Sequence, residues 1–316
     1  MKDIFNVNVK SSREVNLKDI MQEAYEKHIV VPAFNVPYLP MIKPVVDSLK
    51  EFETFGLVEV ARPDIEKFGA ESLRAVADEF YKCADRKYVR LHQDHVPVID
   101  EDGQRVDWQT LIQEALDLDF DSVMVDGSRL SFEENLEISR IVVGMAHRRG
   151  VCVEAELGAV LGHEEGPLPP YEELFATGKG FTDPQQAKMF VEKSGIDWLS
   201  VAVGSVHGAI CGAAKDAKKV EARINIEHLY KIFELTQKPL VLHGGSGIKQ
   251  VSVLKAVQNG ITKINVCTTI RQTYEQALKE KNDINYAQTA LRDQMEDIIK
   301  NHYHIQGSAN KLNTVA

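Results

Sequence analysis

Asp94 and His95 stand side by side at the end of the stretch Arg90-Leu-His-Gln-Asp-His95. Zinc takes neutral imidazole, and a carboxylate beside the ion can move a substrate proton, so the pair suits a metal ligand next to an acid–base group. Read alone, the stretch is equally a surface loop carrying two histidines. Further along, polar residues collect where other apolar runs stop: at Glu156-Leu-Gly158, His207-Gly208, His243-Gly-Gly-Ser-Gly247 and Asn265-Val-Cys-Thr268. His95, His207 and His243 together supply three imidazoles and leave a fourth position open, as a catalytic zinc requires. Gly204, Gly208, Gly244, Gly245 and Gly247 let backbone N–H groups approach an anion, and Ser246 can add a hydroxyl. Tight turns are the competing reading of those glycines.

The elements that must hold these residues alternate between strand and helix. The runs 28–36, 56–61, 88–94, 122–126, 151–156, 198–204, 239–243 and 261–266 read as strands. Val151-Cys-Val and Leu240-Val-Leu are apolar on consecutive positions, the pattern of strands buried on both faces in a parallel sheet. Amphipathic stretches at 108–118, 132–146 and 184–194 read as helices, and Asn16 caps another opening at Leu17. Eight such units predict a (β/α)8 barrel with additional C-terminal helices. A doubly wound sheet would want a Gly-rich turn after its first strand, and Val36-Pro-Tyr-Leu-Pro40 has no glycine. One barrel domain is expected over 1–316, with 1–15 a lead-in and about 281–316 a helical extension ending in a loose tail from Gly307. Insertions at 96–106 and 158–180 follow strands, which puts them on the C-terminal face where active sites and lids form.

A formal charge of −10 disfavours binding to a phosphate backbone. A small anionic substrate remains compatible, held by local N–H groups and a metal. Cys83, Cys152, Cys211 and Cys267 lie far apart, which argues against a thiolate zinc site and a disulfide framework. With no signal-peptide pattern and no membrane-length apolar run, the expectation is a cytoplasmic protein without membrane or nucleic-acid partners. A homo-oligomer, dimer or tetramer, is the expected assembly.

The chain resembles the class II, zinc-dependent ketose-bisphosphate aldolases of the fructose- and tagatose-bisphosphate group. The resemblance rests on Pro32-Ala-Phe-Asn35, Leu91-His-Gln-Asp-His95, Ser122-Val-Met-Val-Asp-Gly-Ser128 and Val153-Glu-Ala-Glu-Leu-Gly158. Phe181-Thr-Asp-Pro184, Val203-Gly-Ser-Val-His-Gly208, Leu242-His-Gly-Gly-Ser-Gly-Ile248 and Lys263-Ile-Asn-Val266 continue it in order. It implies zinc on His95, His207 and His243, with Glu156 an alternate ligand. Asp94 becomes the catalytic acid/base, and Glu164 a glutamate that moves the proton on carbon. Gly208, Gly244 and Ser246 become contacts to phosphate and a monovalent cation, Na+ or K+. Asn35 and Asn265 join the substrate-binding set, and Thr268 is another phosphate contact. The implied reaction is reversible cleavage of a phosphorylated ketose between C3 and C4, giving dihydroxyacetone phosphate and an aldehyde.

Several positions depart from that pattern. Cys211 replaces a phosphate-binding lysine, with Lys215 the nearest lysine downstream. Ala61 replaces a serine, with Arg62 beside it; Val96 replaces a glycine; Cys267 stands where fructose-bisphosphate enzymes tend to carry Asp; and Leu161-Gly-His-Glu164 replaces a Gly-Gly-Glu segment. These leave the metal chemistry intact but bear on the substrate, so the alternative is an aldolase for a non-bisphosphate sugar, or a metal-binding regulatory barrel. A Schiff-base aldolase would need a strand-tip lysine, and Lys263 lies inside the eighth strand instead. His28, His92, His147, His163, His228, His302 and His304 read as structural or surface residues, and Trp108 and Trp198 as packing residues.

Overall fold

The computed structural model describes residues 15–160, 171–206 and 222–314. Strands β1 (Val31–Asn35), β2 (Gly56–Ala61), β3 (Val89–Pro97) and β4 (Ser122–Asp126) are followed by β5 (Cys152–Leu157), β6 (Trp198–Val201), β7 (Leu240–Leu242) and β8 (Ile261–Val266). They pair in sequence order and close into a barrel, every pairing parallel. All eight strands are buried almost throughout, which accounts for the unbroken apolar runs in the sequence.

Helix α1 (Leu17–Glu26) opens as expected, with the Asn16 side chain accepting from Lys18 N–H at 2.8 Å. Helices α2 (Ile42–Glu51), α3 (Arg62–Glu66), α4 (Leu73–Cys83), α5 (Trp108–Asp117) and α6 (Phe132–His147) follow. Then come α7 (Tyr171–Thr177), α8 (Pro184–Ser194), α9 (Ile226–Thr236) and α10 (Gln250–Val257). Local chemistry sets many of their ends. Ser131 and Glu134 form a capping box on α6, and Asp183 accepts from Gln185 and Gln186 N–H before the proline that opens α8. The two C-terminal helices are α11 (Thr268–Lys281) and α12 (Ile284–Asp297). No described helix is long and apolar enough to cross a membrane.

Two expectations are corrected. The third strand does not stop at Asp94; it runs on to Pro97 through a bulge. Its register against β4 shifts between Gln93 and Val96, and His95 adopts a left-handed φ of 36°. The insertion therefore begins inside the strand. Val96 and Val98 are buried, and the loop folds back through an Ile99–Arg105 bridge and a Val106 N–H to Val98 carbonyl bond.

The tail after Gly307 is not loose. Gly307 and Ala309 N–H donate to the Phe52 and Glu53 carbonyls, and Asn313 is held by Glu23. Ala309 and Leu312 pack with Leu17, Ile20 and Met21 of α1 against Val31, Leu57, Cys152, Trp198 and Val241 at the N-terminal ends of the strands. The tail and α1 together plug that end of the barrel. A polar segment hid this role because only two of its side chains carry the packing.

Candidate metal centre and active-site cleft

At the opposite end, the loops after the strands enclose a cleft. Asn35, Asp94 and His95 line it, as do Gly244, Ser246, Asn265 and Thr268. His243 and Glu156 sit beneath, buried. His207, Gly208 and Glu164 lie outside the described residues, as do His163, Cys211 and Lys215.

The bulge in β3 explains how neighbours in sequence share one site. Successive side chains on a regular strand point to opposite faces, so Asp94 and His95 would part company. One extra residue and the left-handed turn at His95 bring both into the cleft. A left-handed backbone at a non-glycine residue costs about 1–3 kcal/mol, so packing around the bulge must hold it in place.

His95 Nε2 and His243 Nδ1 face each other at 2.6 Å, with the rings edge to face. Each imidazole is oriented from behind. His95 Nδ1 meets Asp126 Oδ2 at 3.2 Å, and His243 Nε2 meets Glu154 Oε1 at 2.8 Å. A carboxylate on one ring nitrogen leaves the other free as a ligand, the usual support behind a metal-bound histidine. Asp94, His95 and His243 form one group able to hold a metal ion, and His95, Asp126 and Glu156 form another.

The electrostatics fit a cation at this place. Burial works against a charged His95, yet the charge of Asp94 and the hydrogen bond to Asp126 push it up to about 10. The surrounding carboxylates thus demand positive charge at this point, which a divalent ion meets as well as a proton does. His243 stays below the ordinary imidazole range through burial and the neighbouring His95. Burial would raise Asp94, but His95, His243 and Lys263 more than reverse it and hold the carboxyl well below the usual range. Glu156 goes the other way, raised to about 8 by burial and the charge of Asp126.

Asp94 is held rigidly. Asn35 Nδ2 donates to one oxygen at 3.0 Å and Asn265 Nδ2 to the other at 2.9 Å. Both asparagines thereby point their amide groups at the carboxylate, and the Asn265 side-chain oxygen Oδ1 is buried with no partner among the described residues. Gly244 has a φ of 66°, and a Cβ there would lie 2.3 Å from the Val206 carbonyl oxygen. Tight packing of the β6 and β7 loops therefore requires that glycine, independently of any anion.

Beneath the cleft, the barrel interior carries charges that the sequence reading passed over. Lys263 is fully buried and pairs with Glu154 at 2.9 Å and Glu59 at 3.3 Å. Burial would lower it, but those two carboxylates raise it above the ordinary lysine range. Two carboxylates at this distance favour the charged ammonium, the opposite of the neutral amine that a Schiff-base nucleophile needs. Glu154 also accepts from Trp198 Nε1 at 2.7 Å, so this tryptophan both packs and positions. His92 is fully buried with Nδ1 2.8 Å from Ser122 Oγ, and burial together with Lys263 lowers it to about 3. Glu154 was findable: it stands two residues before Glu156 on the same strand, hence on the same face. Asp64, buried on the cleft wall after β2, carried no signal in the sequence.

A family profile for Fructose-bisphosphate aldolase class-II matches residues 15–311. The YdjI aldolase from Escherichia coli K12 superposes with a TM-score of 0.71 at 26% identity, over 93% of this chain and 99% of that one. Fructose-bisphosphate aldolase from Campylobacter jejuni has a TM-score of 0.71 at 18% identity, over 94% and 98% of the two chains, a likeness of fold.

Proposed function

This chain belongs to the class II fructose-bisphosphate aldolase family, and from that premise we propose that it cleaves a ketose phosphate with a zinc ion held by His95, His207 and His243. The observation that carries the reading is Asp94, ionised and clamped by Asn35 and Asn265 in the cleft beside two imidazoles aimed at a common point. A divalent ion bound there supplies Lewis-acid polarisation of the ketose carbonyl.

The chain's own residues do the rest. Asp94 takes the proton of the C4 hydroxyl as the C3–C4 bond breaks and returns it in condensation. The two amides fix its free lone pairs toward the substrate. Asn265 offers its unpartnered side-chain oxygen Oδ1 to the dihydroxyacetone phosphate part, and Gly208, Gly244, Ser246 and Thr268 seat its phosphate, where a monovalent cation would also bind. Glu156 is an alternate metal ligand, and Glu164 moves the proton on carbon. A single barrel domain, a homo-oligomer and a cytoplasmic location complete the reading.

The test combines metal analysis with retro-aldol turnover on a panel of ketose 1-phosphates and 1,6-bisphosphates, with and without chelator. Exchange of the dihydroxyacetone phosphate C3 proton for deuterium is followed in parallel. Chelation should abolish cleavage and zinc should restore it. Undiminished turnover by metal-free protein, or a zinc-loaded protein inert in every assay, would refute the proposal.

A further inference from the structure

Asp64 has no part in the chemistry described so far. It follows β2 in the first turn of α3, is 4% exposed and lines the cleft. Oδ2 accepts from Ala61 N–H at 2.8 Å and from Asn35 Nδ2 at 3.5 Å. Among the described residues Oδ1 accepts no hydrogen bond. Oδ1 is thus an acceptor on the cleft wall, open to a donor from a molecule bound there. Burial and the charge of Asp94 raise this group to about 7.

Among the described residues, the cations around it other than Arg129 are already matched. Arg62 is engaged by Glu66 at 2.6 Å and Asp100 at 3.1 Å, and Lys67 by Glu101 at 2.6 Å. Arg271 pairs with Glu275 at 2.6 Å, and Arg129, exposed after β4, is the cleft's remaining arginine. The 96–106 insertion supplies two of these carboxylates, Asp100 and Glu101. A phosphate dianion against the β2–β3 wall would meet Asp64 and Asp100 instead of a free positive charge. A hydroxyl would meet an acceptor.

We propose that Asp64 is a specificity-determining residue that accepts a hydrogen bond from a hydroxyl of the aldehyde half, so that the substrates are ketose 1-phosphates whose aldehyde half is a neutral polyol. The inference rests on the aldolase reading above. Pairing of Arg62 by the insertion removes the charge that a second phosphate would need, and Asp64 takes up the hydroxyl left in its place. Above about pH 7, where Asp64 is ionised, a hydrogen bond to it is strong enough to discriminate a hydroxylated from a deoxygenated aldehyde by about 10- to 100-fold.

The experiment runs condensation with dihydroxyacetone phosphate as donor and four acceptors: glyceraldehyde, lactaldehyde, glyceraldehyde 3-phosphate and an aldehyde ending in a carboxylate. Wild-type kcat/KM should favour glyceraldehyde at least tenfold over each of the others. Asp64→Asn and Asp64→Ser should narrow the glyceraldehyde-to-lactaldehyde ratio about tenfold and leave lactaldehyde itself little changed. Preference of the wild type for either anionic acceptor overturns the proposal and points to Arg129. Equal losses on all acceptors in both variants overturn it too. Deuterium exchange into dihydroxyacetone phosphate reports the metal half separately. Both variants losing exchange while the wild type keeps it would make Asp64 part of enolisation and overturn the proposal. A wild type with no exchange would instead sink the aldolase reading on which the proposal stands.

Discussion

The loops after β7 and β8 and those after β2 and β3 line one cleft with different chemistry. The first flank presents Gly244, Ser246, Asn265 and Thr268, small and uncharged. The second presents Arg62, Asp64, Asp100 and Glu101, bound up in ion pairs apart from Asp64. Neutral donors can take a dianion without competing counter-ions, whereas a wall of paired charges gives an incoming phosphate little to bind. On the proposed reading, the first flank grips one half of the substrate in the manner of the family and the second reads the other half with this chain's own residues. Asp94 and the two imidazoles meet in the same cleft and, on that reading, serve both halves.

Substitutions between the flanks should have the largest effect. His243→Ala should reduce zinc content and abolish cleavage, and wild-type metal content would remove it from the ligand set. Asp94→Ala should keep its zinc and lose about 10²- to 10⁴-fold in kcat, the span of general acid–base catalysis. Unchanged turnover would break the idea that this carboxylate serves both halves.

On the uncharged flank, Ser246→Ala should raise KM for dihydroxyacetone phosphate about fivefold through loss of one hydrogen bond of about 1 kcal/mol, and leave the aldehyde KM alone. A shift in the aldehyde KM would erase the division between flanks. On the charged flank, Arg62→Ala should change the preference between phosphorylated and unphosphorylated aldehydes less than threefold, since Asp100 and Glu66 already neutralise it.

The last effect concerns stability rather than turnover. Asp64 is raised to about 7, so the native state holds its proton more tightly than the unfolded chain does. Stability from this group is therefore complete below the unfolded carboxyl range near 4 and declines as pH rises to about 7. Asp64→Asn should be least favourable near pH 4 and should gain on the wild type up to about pH 7, then run parallel. Thermal melts across that range would show a constant difference if Asp64 were not buried as an acid.

Most of the barrel was legible in the residues. Strands such as 56–61, 122–126 and 261–266 read correctly to the residue because parallel strands buried on both faces are apolar without interruption, and caps such as Asn16 act within three residues. Asp94, His95, Asn35, Gly244, Ser246, Asn265 and Thr268 do line one cleft, because side chains at strand ends gather on one face of any such barrel. The tail was misread because its contacts to Phe52, Glu53 and α1 cross more than two hundred residues. The buried ion pairs of Lys263 were missed because β-strand periodicity does not distinguish a charged interior position from an apolar one.

The order of residues by itself determined an alternating strand-and-helix chain whose polar strand ends carry imidazoles, a carboxylate and small anion-seating groups, since burial and period are local properties. Only the tertiary structure decided that a bulge swings His95 round beside Asp94, that Glu154 and Asp126 orient the imidazoles, and that Asp64 is left with an open oxygen in the cleft. Each of those depends on register between strands or on which charge meets which, and neither is set until the barrel has closed.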